Sequence, residues 1–414
     1  MNFHPTHIFL VATLLAAGAM PVSAADTERW RLFVGDQSAA KLTVLDATNG
    51  ERVAEFPLKG YATHLVASES GRTVFAVQMD HDAVEVVSTG VALTDHGEHR
   101  DIELETPAVL LRVEGKRPVH AVPHGDEMLQ FFDLEGEARI FNETALLNGG
   151  KDHEVVKAAA PHHGVAVRMG EYMLVSEPNL SGEAVVKEGE LPPRLGLKVL
   201  GKDGRQVGEV YPCTGLHGEA SSAGLVAFGC KEGVLVVRDG GREAPKAELL
   251  PYGKDMPQGQ VGTLLGGRAM QFFLGNYGED KVVVIDPSSS EPYRVVPLPV
   301  RRVDFALDPG RPSTAYIFTE DGKLHVLDIK LHVLDILSGE LTGSAQVTEA
   351  YSKDGHWRDP RPRLAVMGDE IAVSDPRQQR IRILDAETLN ETRSIAVEGL
   401  PFNIVAVGGA GVDH

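Results

Sequence analysis

A chain of 414 residues with 40 Lys and Arg against 59 Asp and Glu has a formal net charge of −19, which argues against nucleic acid or an anionic membrane surface as partner, because both need clustered positive charge. With 43% hydrophobic and 24% charged residues it can bury a large core, which excludes disordered and fibrous classes. Two Cys exclude a disulfide scaffold and a four-thiolate zinc site, and the acidic excess makes a cation the fitting charged ligand.

The first 24 residues hold no Lys, Arg, Asp or Glu, and the apolar run Ile8 to Met20 is followed by Pro21 and the small-residue pattern Val22-Ser23-Ala24. This predicts a secretory signal peptide over 1–24, cut before Ala25, and a single mature domain over 25–414. The run is short of the ~20 residues that span a bilayer, and no later segment qualifies, so no membrane insertion is expected. Export to an oxidising space allows Cys213 and Cys230 to pair as a structural staple. They flank a predicted hairpin whose turn lies near Ser222 to Gly224, and they lack the C-x-x-C spacing of a redox pair.

A repeat then runs along the mature chain: an apolar strand, a Gly-centred turn, a second apolar strand, a polar turn, and a strand ending in Asp. Copies begin at Arg31, Thr73, Met128, Tyr172, Leu225, Met270, Tyr316 and Glu370. Eight units over the mature chain give about 49 residues each, the size of a propeller blade. The predicted fold is all-β: one β-propeller of eight blades, each of four antiparallel strands, closed on itself as a monomer. Seven blades with one insertion is the alternative count. The Asp residues that end blade strands are expected to serve turns. Asp359-Pro360-Arg361-Pro362-Arg363 is expected to connect blades. The heptapeptide KLHVLDI at Lys323 to Ile329 recurs at once as Lys330 to Ile336, so one copy should fill the strand and the other should bulge or loop out. That makes His325 and His332 poor ligands.

The innermost strand of each blade lines the channel, and it should be the segment just before the first turn glycine. His64, His163 and His217 each stand seven residues before their glycine, at Gly71, Gly170 and Gly224. Val303 and Phe402 occupy the same slot in other blades, so the fold does not demand His there. The intervening blade reads RPVHAVPHGDEM and offers His120 and His124. Imidazole is the commonest zinc ligand, and neighbouring inner strands bring equivalent positions together. We therefore expect one metal site from His120, His124, His163 and His217, with His64 as a fifth or replacement ligand. Asp126 and Glu219 could complete or orient it. His162 and His163 face opposite sides of a strand, so at most one of them enters the channel. The plain alternative is that inner-strand His simply bond water or backbone.

Leaving out His4 and His7, ten of the remaining 14 His fall within residues 64–217, on one side of the ring. A His-rich loop over about 80–101 holds Asp80-His81-Asp82 and Asp95-His96-Gly97-Glu98-His99-Arg100-Asp101. His96, His99 and Glu98 could capture a divalent cation weakly and hand it on, the alternative being a solvated polar loop. No G-x-S-x-G, P-loop, H-E-x-x-H or dinucleotide fingerprint occurs, so the common hydrolase, NTPase and redox folds lack support.

With DHGEHRDIE, VHAVPHGDEM, APHHGVAVRMG and CTGLHGEASS, the chain resembles the periplasmic zinc metallochaperones of Azt-type zinc ABC transport systems. The resemblance covers most of the mature chain and is strongest from Asp95 to Cys230. It implies a periplasmic, non-enzymatic propeller that binds Zn2+ and delivers it by direct ligand exchange to the transporter's solute-binding protein. It points to His96, His99, His120, His124, His163 and His217 as ligands. Binding is then expected to weaken as pH falls through the His range near ~6.5. The competing classes are a metal-dependent, lactonase-like propeller hydrolase and a metal-free interaction propeller.

Overall fold

The computed structural model describes residue 1 and residues 27–413 except 98, 183–189, 332–336, 354 and 357. The predicted signal peptide beyond residue 1, Glu98 and His332 lie outside the described residues. Alternation of apolar and polar residues, broken every few positions by Gly or Asp turns, produces short strands, and these form eight blades of four antiparallel strands. From blade 2 to blade 8 the inner strands are His64–Ala67, Pro118–His124, Ala166–Met169, His217–Ser222, Leu264–Leu265, Arg302–Leu307 and Leu364–Met367. Gly170 and Gly224 turn the chain into the second strand at φ +58° and +72°, a region closed to most side chains.

Blade 1 closes the ring. Its three outer strands, Thr27–Asp36, Lys41–Asp46 and Arg52–Pro57, come from the start of the mature chain, and its inner strand is Pro401–Asp413. The two ends pair antiparallel, with Arg31 opposite Val407 and Phe33 opposite Val405. Between blades, sheet faces pack on buried side chains such as Phe131, Val175, Leu197 and Phe228, and each buried Phe contributes about 1.5–3 kcal/mol.

Two insertions shape the ends of the ring. The hairpin Val91–Asp95 and Arg100–Leu104 leaves blade 2 between its third and fourth strands, and Asp101 and Ile102 pair in parallel with Val412 and Asp413. In an antiparallel blade the third strand ends where the inner strand ends, so this hairpin stands at the mouth opposite the one where the inner strands begin. The first KLHVLDI fills the strand Lys323–Leu331, which also takes Lys330 and Leu331 of the second copy. His325 is buried, with Nε2 2.9 Å from Thr319 Oγ1. The predicted turn role of Asp holds at Asp46, whose Oδ1 accepts from Thr48 N at 2.8 Å, and at Asp308, which accepts from Gly310 N at 2.9 Å.

Cys213 and Cys230 form a disulfide with Cα atoms 5.0 Å apart. Cys213 follows the outer strand Gln206–Pro212 of blade 4 and Cys230 follows the second strand Leu225–Gly229 of blade 5, so the bond ties two blades together. Cross-linking residues at a separation of 17 restricts the unfolded chain. Replacing both with Ala should therefore cost about 3 kcal/mol, read as a lower thermal midpoint for the variant and no further drop when reductant is added.

Candidate metal centre

Three imidazoles from three consecutive blades meet at the mouth where the inner strands begin. His120 is the third residue of its strand, His217 opens its strand, and His163 lies in the connection just before Ala166–Met169. His120 Nε2 is 3.2 Å from His163 Nε2. Ring centroids are 4.8 Å apart for His120 and His163, 5.3 Å for His163 and His217, and 5.9 Å for His120 and His217. One ligand nitrogen from each lies within 4.8 Å of the others, and this is the only group of three His, Cys, Asp or Glu so placed among the described residues. Tetrahedral zinc with nitrogens at ~2.0–2.1 Å sets them about 3.3 Å apart, so small ring movements close the set.

The far side of each ring explains why these nitrogens face inward. His217 Nδ1–H donates to Gly262 O at 2.6 Å, and a carbonyl can only accept, which fixes that tautomer. His163 Nδ1–H donates to Asp133 Oδ2 at 2.7 Å; the fully buried Asp133 also accepts from Gly164 N at 3.3 Å. His120 Nδ1 is 3.7 Å from Glu219 Oε2. Both fixed rings thus present bare Nε2 lone pairs to one point, the arrangement that carboxylate and carbonyl partners impose on metal-bound His. Without an ion, only the Nε2–H of His120 can bridge to His163. A divalent cation held between them would need that proton on His120 Nδ1, which lies 3.7 Å from Glu219 Oε2.

Burial disfavours charge here. It lowers His120 well below 6.5, helped by His163, His217 and His64, and it lowers His217, offset in part by the Gly262 carbonyl. These two rings are neutral at pH 7 and would lose few protons on binding a cation. Burial also raises Glu219 to about 8. His64 is lowered to about 4 by burial and by Arg363. Its folded value lies below its unfolded one, so its stabilisation is complete above pH 6.5 and is lost as pH falls from 6.5 towards 4. It amounts to about 3 kcal/mol. The thermal midpoint of metal-free protein should fall across that window, and fall less in His64→Asn.

The other predicted ligands lie elsewhere. His64 faces the channel beside His120 but is not in the three-ring group. His124 ends the strand that carries His120, and four residues at ~3.3 Å place it about 13 Å along the channel, at the opposite mouth. Asp126 is there too, accepting from Asn142 Nδ2 at 2.6 Å and Thr144 Oγ1 at 3.1 Å. His162 is fully buried, bonded to Ala160 O at 2.9 Å and Ser176 Oγ at 2.8 Å. His96 and His99 come together on the inserted hairpin, with Nε2 atoms 2.9 and 3.1 Å from the two oxygens of Asp101. Sequence reasoning missed Asp133 and the Gly262 carbonyl. Asp133 follows an apolar strand, and the rule that such Asp serve turns hid it.

No family model matches the chain. Fold and site define an eight-bladed propeller with three convergent imidazoles at one mouth, placed so that they could hold a metal ion. Over 403 residues the chain is 43% identical to the zinc chaperone AztD of Citrobacter koseri, covering 97% of this chain and 92% of that one. The crystal structure of Citrobacter koseri AztD matches with a TM-score of 0.86 over 94% of this chain and all of that one, at 43% identity. Its apo form matches at 0.84 over 93% of this chain. The chain belongs to the AztD zinc chaperone family. The dihydro-heme d1 dehydrogenase NirN, 15% identical with a TM-score of 0.56 over 95% of this chain and 78% of that one, shares the fold alone.

Proposed function

We propose that this protein is exported to the periplasm through a cleaved signal peptide over residues 1–24, carries Zn2+ on His120, His163 and His217, and passes it by direct ligand exchange to the solute-binding protein of a zinc ABC transporter. One observation carries the reading: one ring nitrogen from each of three histidines converges while Asp133 and the Gly262 carbonyl hold the far nitrogens of two rings. Membership of a zinc chaperone family supports zinc as the cargo. Three protein ligands leave one tetrahedral position to a fourth, and the His120 and His163 side chains keep 20% and 22% of their surface exposed. A docked partner's ligands can enter there and replace the imidazoles one at a time, so the ion never equilibrates with solvent.

His96, His99 and Asp101 stand at the other mouth, so a cation held there is a separate and weaker cargo, open to solvent. Mixing zinc-loaded protein with metal-free solute-binding protein tests the main reading. Transfer should be faster than zinc loss to a chelator alone and should rise with acceptor concentration. A transfer rate equal to the chelator rate would leave only passive release.

A further inference from the structure

A half-buried arginine stands beside the three imidazoles. Arg194 opens the third strand of blade 4, Arg194–Leu200, at the mouth where the inner strands begin, and its side chain crosses to the connection that leads into blade 5. Its Nε donates to Leu216 O at 2.6 Å and its Nη2 to Gly215 O at 3.3 Å, while Gly215 N–H donates back to Arg194 O at 3.0 Å. Leu216 immediately precedes His217, so the guanidinium is fixed one peptide unit from the backbone of a candidate ligand.

Both side-chain hydrogen bonds go to neutral carbonyls, so they hold the group in place without cancelling its charge. Burial lowers Arg194 from its ordinary value, and among the described residues Asp133 is the one charge that offsets this. Asp133 is engaged elsewhere: it accepts from His163 Nδ1–H at 2.7 Å and lies 3.5 Å from Arg117 Nε. The field of Arg194 reaches the rings in turn. Burial is the main cause that lowers His120, His162 and His217, and in each the Arg194 charge adds to it. A fixed charge that disfavours a proton on these rings disfavours a dication among them about twice as strongly at the same distance.

We propose that Arg194 sets how readily the cargo is given up: held against the Gly215 and Leu216 carbonyls, its positive charge opposes Zn2+ at His120, His163 and His217, so an acceptor's ligands can take the ion. The proposal rests on the zinc reading of those three rings.

Competition with a chromophoric chelator, run on the mature parent, Arg194→Gln and Arg194→Lys, tests it. Arg194→Gln should bind Zn2+ roughly fivefold or more tightly than the parent and release it more slowly, because the amide keeps a hydrogen-bond donor and drops the charge. Arg194→Lys keeps the charge and should bind no more tightly than the parent. Equal or weaker affinity in Arg194→Gln would overturn the proposal, since removing a merely structural brace loosens a site. The Co2+-loaded parent and Arg194→Gln should share one visible spectrum; a shifted spectrum would assign the gain to the new amide as a ligand and overturn the proposal too. If Arg194→Gln does not fold, Arg194→Met carries the same expectations. His163→Ala separates the two readings. Zinc bound there as in the parent sinks the metal reading and this proposal with it, whereas zinc lost there without tightening in Arg194→Gln sinks only the role of Arg194.

Discussion

His163→Ala should lower zinc affinity by at least about a hundredfold, measured by competition with a chromophoric chelator. Structural zinc sites bind with about 10–16 kcal/mol over four ligands, so one imidazole is worth roughly 3 kcal/mol or more. His163 is the middle member of the three: its ring lies 4.8 Å from His120 and 5.3 Å from His217, while those two stand 5.9 Å apart. Asp133 would keep Gly164 N at 3.3 Å and Arg117 Nε at 3.5 Å, so the fold should survive the loss. His124→Ala, at the far end of the His120 strand, should leave affinity at the parent value. Full affinity in His163→Ala would place the cargo elsewhere on the ring.

Asp133→Asn should weaken zinc binding by about 10–100-fold, although it touches no metal. The carboxylate accepts the His163 Nδ1–H at 2.7 Å from a fully buried position, so little water screens it. As an anion it makes the opposite nitrogen a better donor to a cation. The amide keeps an acceptor oxygen but loses the charge, and its NH2 can face Nδ1 instead, which would move the ring proton onto Nε2 and block the ligand. Zinc dissociation should quicken while the thermal midpoint of metal-free protein stays near the parent's. Asp126→Asn is the control, since Asp126 is engaged by Asn142 and Thr144 at the other mouth. Equal losses in both would mean a general effect of removing charge.

Much of this was readable from the chain because blades repeat. Recurring strand and turn units set the number of blades, and the shared offset of His64, His163 and His217 from Gly71, Gly170 and Gly224 put them at one level of the channel. What failed to show was whatever depends on distant pairing or on direction along a strand. The segment around Phe402 reads as an inner strand ending at Gly409, yet the strand runs on to Asp413 and pairs with residues from Thr27 onward. His124 and Asp126 look like neighbours of His120 in sequence, but an extended strand carries them the length of the channel. Arg363 looked like part of a connector, and only the ring brings it to the same cavity as His64.

The strand Pro401–Asp413 gives the C-terminus a consequence for damage and for engineering. Clipping this segment does not trim a tail or yield a smaller propeller. It strips the edge of Thr27–Asp36, where Leu32, Phe33 and Val34 are now buried, and leaves a row of unpaired backbone groups beside apolar side chains. Such an edge is a template for pairing with another chain. Loss of this segment should therefore turn a closed ring into an aggregation-prone one, read as a shift from monodisperse protein to large species in light scattering.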